Sequence, residues 1–97
     1  MITHVVLFKL KDRSPQSIEK ARDLLVGMKG KIPQLHHLEV GTDVLHSERS
    51  YDIALITKFD SMDDLATYQA HPVHVKVSDY IMSAKESSIV VDFESDK

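Results

Sequence analysis

The sequence predicts a single α+β domain, and three observations carry that prediction. Four stretches alternate apolar and polar residues with a period of two, and the regions between them space apolar residues by three and four. The order along the chain is β-α-β-β-α-β. The length, 97 residues with 42% hydrophobic and 28% charged side chains, suits one core and not two.

The first strand spans Ile2 to Lys11, with Ile2, His4, Val6, Phe8 and Leu10 on one face and Val5 and Leu7 on the other. Ser14-Pro15 then supplies an N-cap and a proline at the first helical position. Ile18, Ala21, Leu25 and Met28 form the buried stripe of a helix that ends near Gly30. Ile32-Pro33 keeps the chain from continuing as helix. His36 to Val44 is the second strand, followed by a polar loop to Ser50. Tyr51 to Phe59 is the third, with Ile53, Leu55, Thr57 and Phe59 opposite Ala54 and Ile56. Ser61 with Asp64 caps a short helix whose inner face is Met62, Leu65 and Tyr68. His71-Pro72 interrupts it, a second helical segment runs from Val73 to Ala84, and Glu86 to Phe93 closes as a strand. This is the order of a ferredoxin-like domain, two helical regions on one face of a four-stranded antiparallel sheet.

Two helical regions cover one side of such a sheet. Yet Val5, Leu7, Ala54, Ile56, Ile89, Val91 and Phe93 all fall on the other side and are apolar. A sheet oily on both faces needs a partner, and a second copy about a two-fold axis is the simplest one, so a homodimer is expected. Net charge −3 argues against nucleic acid, which needs clustered Lys and Arg. The absence of cysteine excludes disulfides, thiolate metal sites and thiol nucleophiles. The start, Met1-Ile2-Thr3-His4, lacks a basic leader with an apolar run, and no stretch is long enough to span a membrane. A soluble, cytoplasmic protein of one domain, residues 1–97, is expected. No glycine-rich phosphate loop is present, so no nucleotide cofactor is expected.

The string His4-Val5-Val6-Leu7-Phe8-Lys9-Leu10-Lys11, then Tyr51-Asp52-Ile53-Ala54-Leu55, Phe59-Asp60-Ser61 and Tyr68-Gln69-Ala70-His71-Pro72-Val73-His74 resembles the stress-responsive dimeric α/β-barrel (Dabb) family. The likeness covers nearly the whole chain, and Tyr-x-x-His-Pro-x-His after a Phe-x-Ser turn is its specific part. It implies a ferredoxin-like protomer whose sheet packs against a second copy's to make a dimeric α+β barrel. By similarity to a plant polyketide cyclase of that family, it implies aldol-type acid–base chemistry without cofactor or metal. His74 would then be the general base and Tyr68 its helper, with His4 and His71 lining the pocket. The cyclase's bulky aromatics correspond to Ala21, Arg22, Leu25 and Lys85, so the pocket should differ in shape and polarity.

Read from the residues themselves, the site has two readings. A His–Tyr pair in a dry pocket can take a proton from an acidic C–H and steady the enolate oxygen. The expected walls are His4, Val6 and Phe8 from the first strand and Leu55 from the third. Leu25 from the first helix, with His71 and Val77 from the last helical region, completes them. In the plainer reading His71-Pro72-Val73-His74 is a helix junction with satisfied imidazoles, and the protein is a non-catalytic stable dimer or ligand binder. His4, mid-strand among apolar neighbours, needs a hydrogen-bond partner, and a Tyr hydroxyl is a natural one. His71, His74, Asp43 and Asp79 do not have the spacing of a metal site, so none is expected. His36 and His37 point to opposite faces, and His46 lies in a polar loop. Glu48, Arg49, Asp52, Asp63 and Asp64 read as solvated surface. Arg22 reads as reaching water along its stem, with a carboxylate contact as the alternative. Met28, Met62 and Met82 read as core fillers.

Overall fold

The computed structural model describes residues 1–96. The elements are β1 (Ile2–Leu10), α1 (Pro15–Val26), β2 (His37–Thr42), β3 (Ile53–Phe59), α2 (Met62–Ala70), α3 (Pro72–Ala84) and β4 (Lys85–Glu94). The strands form one antiparallel sheet in the order β2-β3-β1-β4, so β2 and β4 are the edges. The ferredoxin-like α+β fold expected from the sequence is the fold of the chain.

Local chemistry explains the boundaries. The Ser14 hydroxyl accepts the Ser17 N–H at 3.3 Å, and Pro15 starts α1 at the position where an N–H has no helical partner. The helix stops at Val26, before the expected end near Gly30. Turns follow it, and Gly30 adopts a φ of 79° that a side chain would strain. Met28 is buried from those turns. Ser61 caps α2 by accepting the Asp64 N–H at 3.1 Å, with Asp63 and Asp64 against the positive end of the helix dipole. The loop of residues 43–52 turns on Asp43, whose carboxylate accepts the His46 N–H at 2.6 Å.

The core lies between the helices and one face of the sheet. Val6, Phe8 and Leu10 from β1 meet Ile53, Leu55 and Phe59 from β3, closed by Ile18, Ala21, Leu25, Leu65, Tyr68 and Ile81. Val5 and Leu7 on the opposite face are only half-buried, and Ile89, Val91 and Phe93 beside them are 48%, 56% and 46% exposed. The chain exposes 5996 Å², above the roughly 5,600 Å² that size scaling gives for its mass.

Three expectations are corrected. Met62 and Met82 are not core fillers: they are 55% and 61% exposed, because the buried stripes of their helices run through Leu65, Tyr68 and Ile81 instead. Asp52 is not surface. It is 1% exposed, and its carboxylate accepts the Leu10 N–H at 2.8 Å and the Arg13 Nε–H at 2.9 Å. A buried charge needs such partners, and these tie the end of β1 and the start of α1 to the entry of β3. None of the helices among the described residues is long and apolar enough to cross a membrane.

Candidate functional site

Burial of apolar side chains leaves a cavity of about 190 Å³ between β1, β4 and the three helices. Phe8, Leu25, Met28, Leu55 and Ile81 make its apolar wall, and the polar residues His4, Tyr68 and His74 also border it. Val6 and Val77 also line it. Eight of the nine residues expected at the site therefore border one space.

His71 is the exception. Its Nδ1 accepts the Val73 N–H at 3.1 Å and caps α3, and it does not line the cavity. The reason is Pro72, which holds the preceding residue out of helical conformation: His71 has φ −64° and ψ 137°. Tyr68, His71 and His74 are thus not on successive turns of one helix.

Tyr68 is fully buried, and its hydroxyl has no hydrogen-bond partner among the described residues. Burial raises its pKa to about 12, so the O–H keeps its proton. The Tyr68 and His74 rings lie 4.5 Å apart between centroids and are tilted by 55°. The Phe59 ring also packs on Tyr68, with centroids 4.8 Å apart and a tilt of 51°.

His74 Nδ1–H donates to the Gln69 carbonyl at 3.0 Å, a bond that places the neutral ring's lone pair on Nε2. Burial is the main cause that lowers the His74 pKa. The Gln69 carbonyl opposes it, and the nearby His4 adds to it. The His74 ring is accordingly neutral at physiological pH.

His4 has a different partner from the Tyr hydroxyl expected for it. It stands opposite Asp92 in the β1–β4 register, and its Nδ1–H donates to the Asp92 carboxylate. Strand alternation from Ser88 and Val90 puts Asp92 on the cavity side, but only the register pairs it with His4. Arg22 is exposed and bonds to Asp23 at 3.1 Å, away from the cavity. His36 pairs with Asp60 at 2.9 Å, His37 lies 3.7 Å from Glu39, and His46 is an exposed residue with a positive φ. Among the described residues no three His, Asp or Glu side chains gather as metal ligands. A wider cleft of about 650 Å³ lies between α1 and the loop after β2. Its two guanidinium groups are already engaged by Asp52 and Asp23.

A family model described as the stress responsive A/B barrel domain matches residues 2–95. The chain is 29% identical over 101 residues to a stress-response A/B barrel domain-containing protein of Arabidopsis thaliana. That match takes in 100% of this chain and 38% of the plant protein's length. A solved dimeric protein of unknown function and ferredoxin-like fold from Bacteroides fragilis has a TM-score of 0.84 at 32% identity. The likeness covers 97% of this chain and 95% of that one. Hydroxynitrile lyase from Passiflora edulis has a TM-score of 0.83 at 17% identity, over 99% of this chain and 94% of the lyase. At that identity the likeness is one of fold alone.

Proposed function

The chain belongs to the stress-responsive A/B barrel domain family, and from that premise we propose a homodimer whose cavity binds a small carbonyl compound and performs cofactor-independent acid–base chemistry on it. One observation carries the chemistry: Tyr68, whose buried hydroxyl has no partner among the described residues, packs its ring near a His74 ring whose Nε2 is free. In the proposed step Nε2 of His74 takes the proton from a carbon next to the substrate carbonyl. The C–H electron pair moves to form the enolate, and the Tyr68 O–H donates to its oxygen. The Gln69 carbonyl stabilises the imidazolium as it forms. His4, oriented by Asp92, borders the same space as a second proton carrier. The enolate would then attack a second carbonyl, as in an aldol closure, or be reprotonated.

The half-exposed apolar face of Val5, Leu7, Ile89, Val91 and Phe93 supports the homodimer, and the Bacteroides fragilis relative is itself described as dimeric. A second reading, a non-catalytic stress-response dimer that only holds a ligand, is favoured by the largely apolar wall of the cavity and by the name of the plant relative.

Deuterium uptake at the central carbon of pentane-2,4-dione in D₂O, followed by NMR, separates the two. The unmodified protein should accelerate uptake above buffer, and His74→Ala should return it to the buffer rate without changing the folded-state spectrum. Uptake unchanged by His74→Ala would remove the base assignment, and no acceleration at all would leave the binding reading.

A further inference from the structure

The cavity has a second polar end. Where β4 begins, its pairing with β1 shifts: Lys9 stands opposite Ser87, but Leu10 stands opposite Lys85. Glu86 is the extra residue of this bulge. Plain alternation back from Ser88 would have turned Glu86 toward the helices and Lys85 away. The bulge reverses that, as bulges near binding sites do. Lys85 and Ser88 line the cavity, and Glu86 is exposed. The charge offered to the cavity is thereby changed from negative to positive.

Lys85 Nζ donates to the Ser88 hydroxyl at 2.9 Å, and among the described residues it has no carboxylate partner. A half-buried ammonium with two N–H donors left over is a ready partner for an anionic oxygen. Ser88 pairs with Phe8 and Asp92 with His4, so the ammonium end and the imidazole end are four β1 residues apart, about 13 Å of strand. The cavity between the two ends has a volume of about 190 Å³.

We infer that the cavity selects a keto acid, its carboxylate held by Lys85 and Ser88 and its carbonyl and acidic C–H directed to the Tyr68–His74 end. This rests on the acid–base reading of the same cavity and adds the substrate class.

Acetoacetate and pentane-2,4-dione test it, since both have seven non-hydrogen atoms and an acidic methylene and only the first is an anion at neutral pH. NMR titration of the intact protein, read on the His4 and His74 ring signals, should show acetoacetate binding at least tenfold more tightly. Lys85→Met should reduce that preference about tenfold, and Lys85→Arg, which keeps the charge, should retain most of it. Equal affinities for the two probes, no binding of acetoacetate, or an equal loss in the Met and Arg variants would each overturn the proposal. Deuterium uptake reports separately on the base. A Lys85-dependent preference without accelerated uptake upholds the carboxylate site and removes the chemistry. Accelerated uptake with a preference that Lys85→Met leaves unchanged does the reverse.

Discussion

His4 on β1 and Asp92 on β4 face each other across the strand pair and share a hydrogen bond from the ring Nδ1–H to the carboxylate, with His4 buried and Asp92 partly exposed. The carboxylate fixes which ring nitrogen carries hydrogen and leaves Nε2 as the lone-pair atom of the neutral ring. Asp92→Asn removes the charge but keeps the shape. It should alter the imidazole ¹⁵N signals of His4 while leaving those of His74 on its Gln69 carbonyl nearly unmoved. Equal changes in both rings would show that the pair acts through the packing of the whole cavity.

Tyr68→Phe should separate stability from activity. Deleting a buried hydroxyl that has no partner removes an uncompensated desolvation cost, so the variant should be more stable by about 1 kcal/mol. The same change should lower the proposed acid–base rate by roughly a hundredfold, because the oxyanion donor is gone. Urea unfolding beside the deuterium-uptake assay reads both quantities, and a less stable variant would mean that the hydroxyl has a partner in solution.

The depressed pKa of His74 sets a direction for pH dependence. Its folded value lies below the ordinary 6.5, chiefly through burial, so between the two values the unfolded chain binds a proton that the folded one does not. Its contribution to stability is therefore present above about pH 6.5 and falls away as pH drops toward the folded pKa. His74→Gln should flatten this part of the profile, as measured by urea midpoints at pH 5, 6 and 7.5.

Asp52→Ala should be the most damaging single change outside the apolar core. It strands the Leu10 N–H and the Arg13 guanidinium, and the loss should be on the order of 3 kcal/mol. A thermal midpoint lowered by more than about 10 °C would agree for a domain of this size. A fall of only a degree or two would mean that water replaces the carboxylate readily.

Assembly is open to a direct measurement. Light scattering should report about 22 kDa for the unmodified chain, twice its 11.0 kDa. Val91→Lys or Ile56→Lys should give monomer or aggregate, since each would bury an unpaired ammonium between the sheets. A mass of 11 kDa for the unmodified chain would mean that its outer sheet face meets water.

The fold was legible because each element carries its own signal. Period-two alternation marks β1 and β3, the Ser14-Pro15 and Ser61 caps mark helix starts, and Pro72 marks the break between α2 and α3. Alternation along β1 and the helical stripes also brought His4, Tyr68 and His74 to one side. What escaped the sequence depends on strand pairing. Register alone sets Asp92 against His4 and lets the bulge turn Lys85 inward, and a chain's own periodicity does not encode its neighbour's. Asp52 was misread for a related reason: its partners, Leu10 and Arg13, lie some forty positions earlier.

The break at Pro72 has a geometric consequence for the pair it separates. Tyr68 and His74 are six positions apart, and on one unbroken helix they would differ by about 600° of turn, some 120° short of alignment, and by about 9 Å of rise. Such residues do not touch. Their rings meet because α2 stops at Ala70 and the extended His71 breaks the helix before α3 begins at Pro72. Pro72, at the first position of α3, acts as the elbow that folds one onto the other. A Pro72→Ala chain that straightened there would keep both residues and lose their encounter.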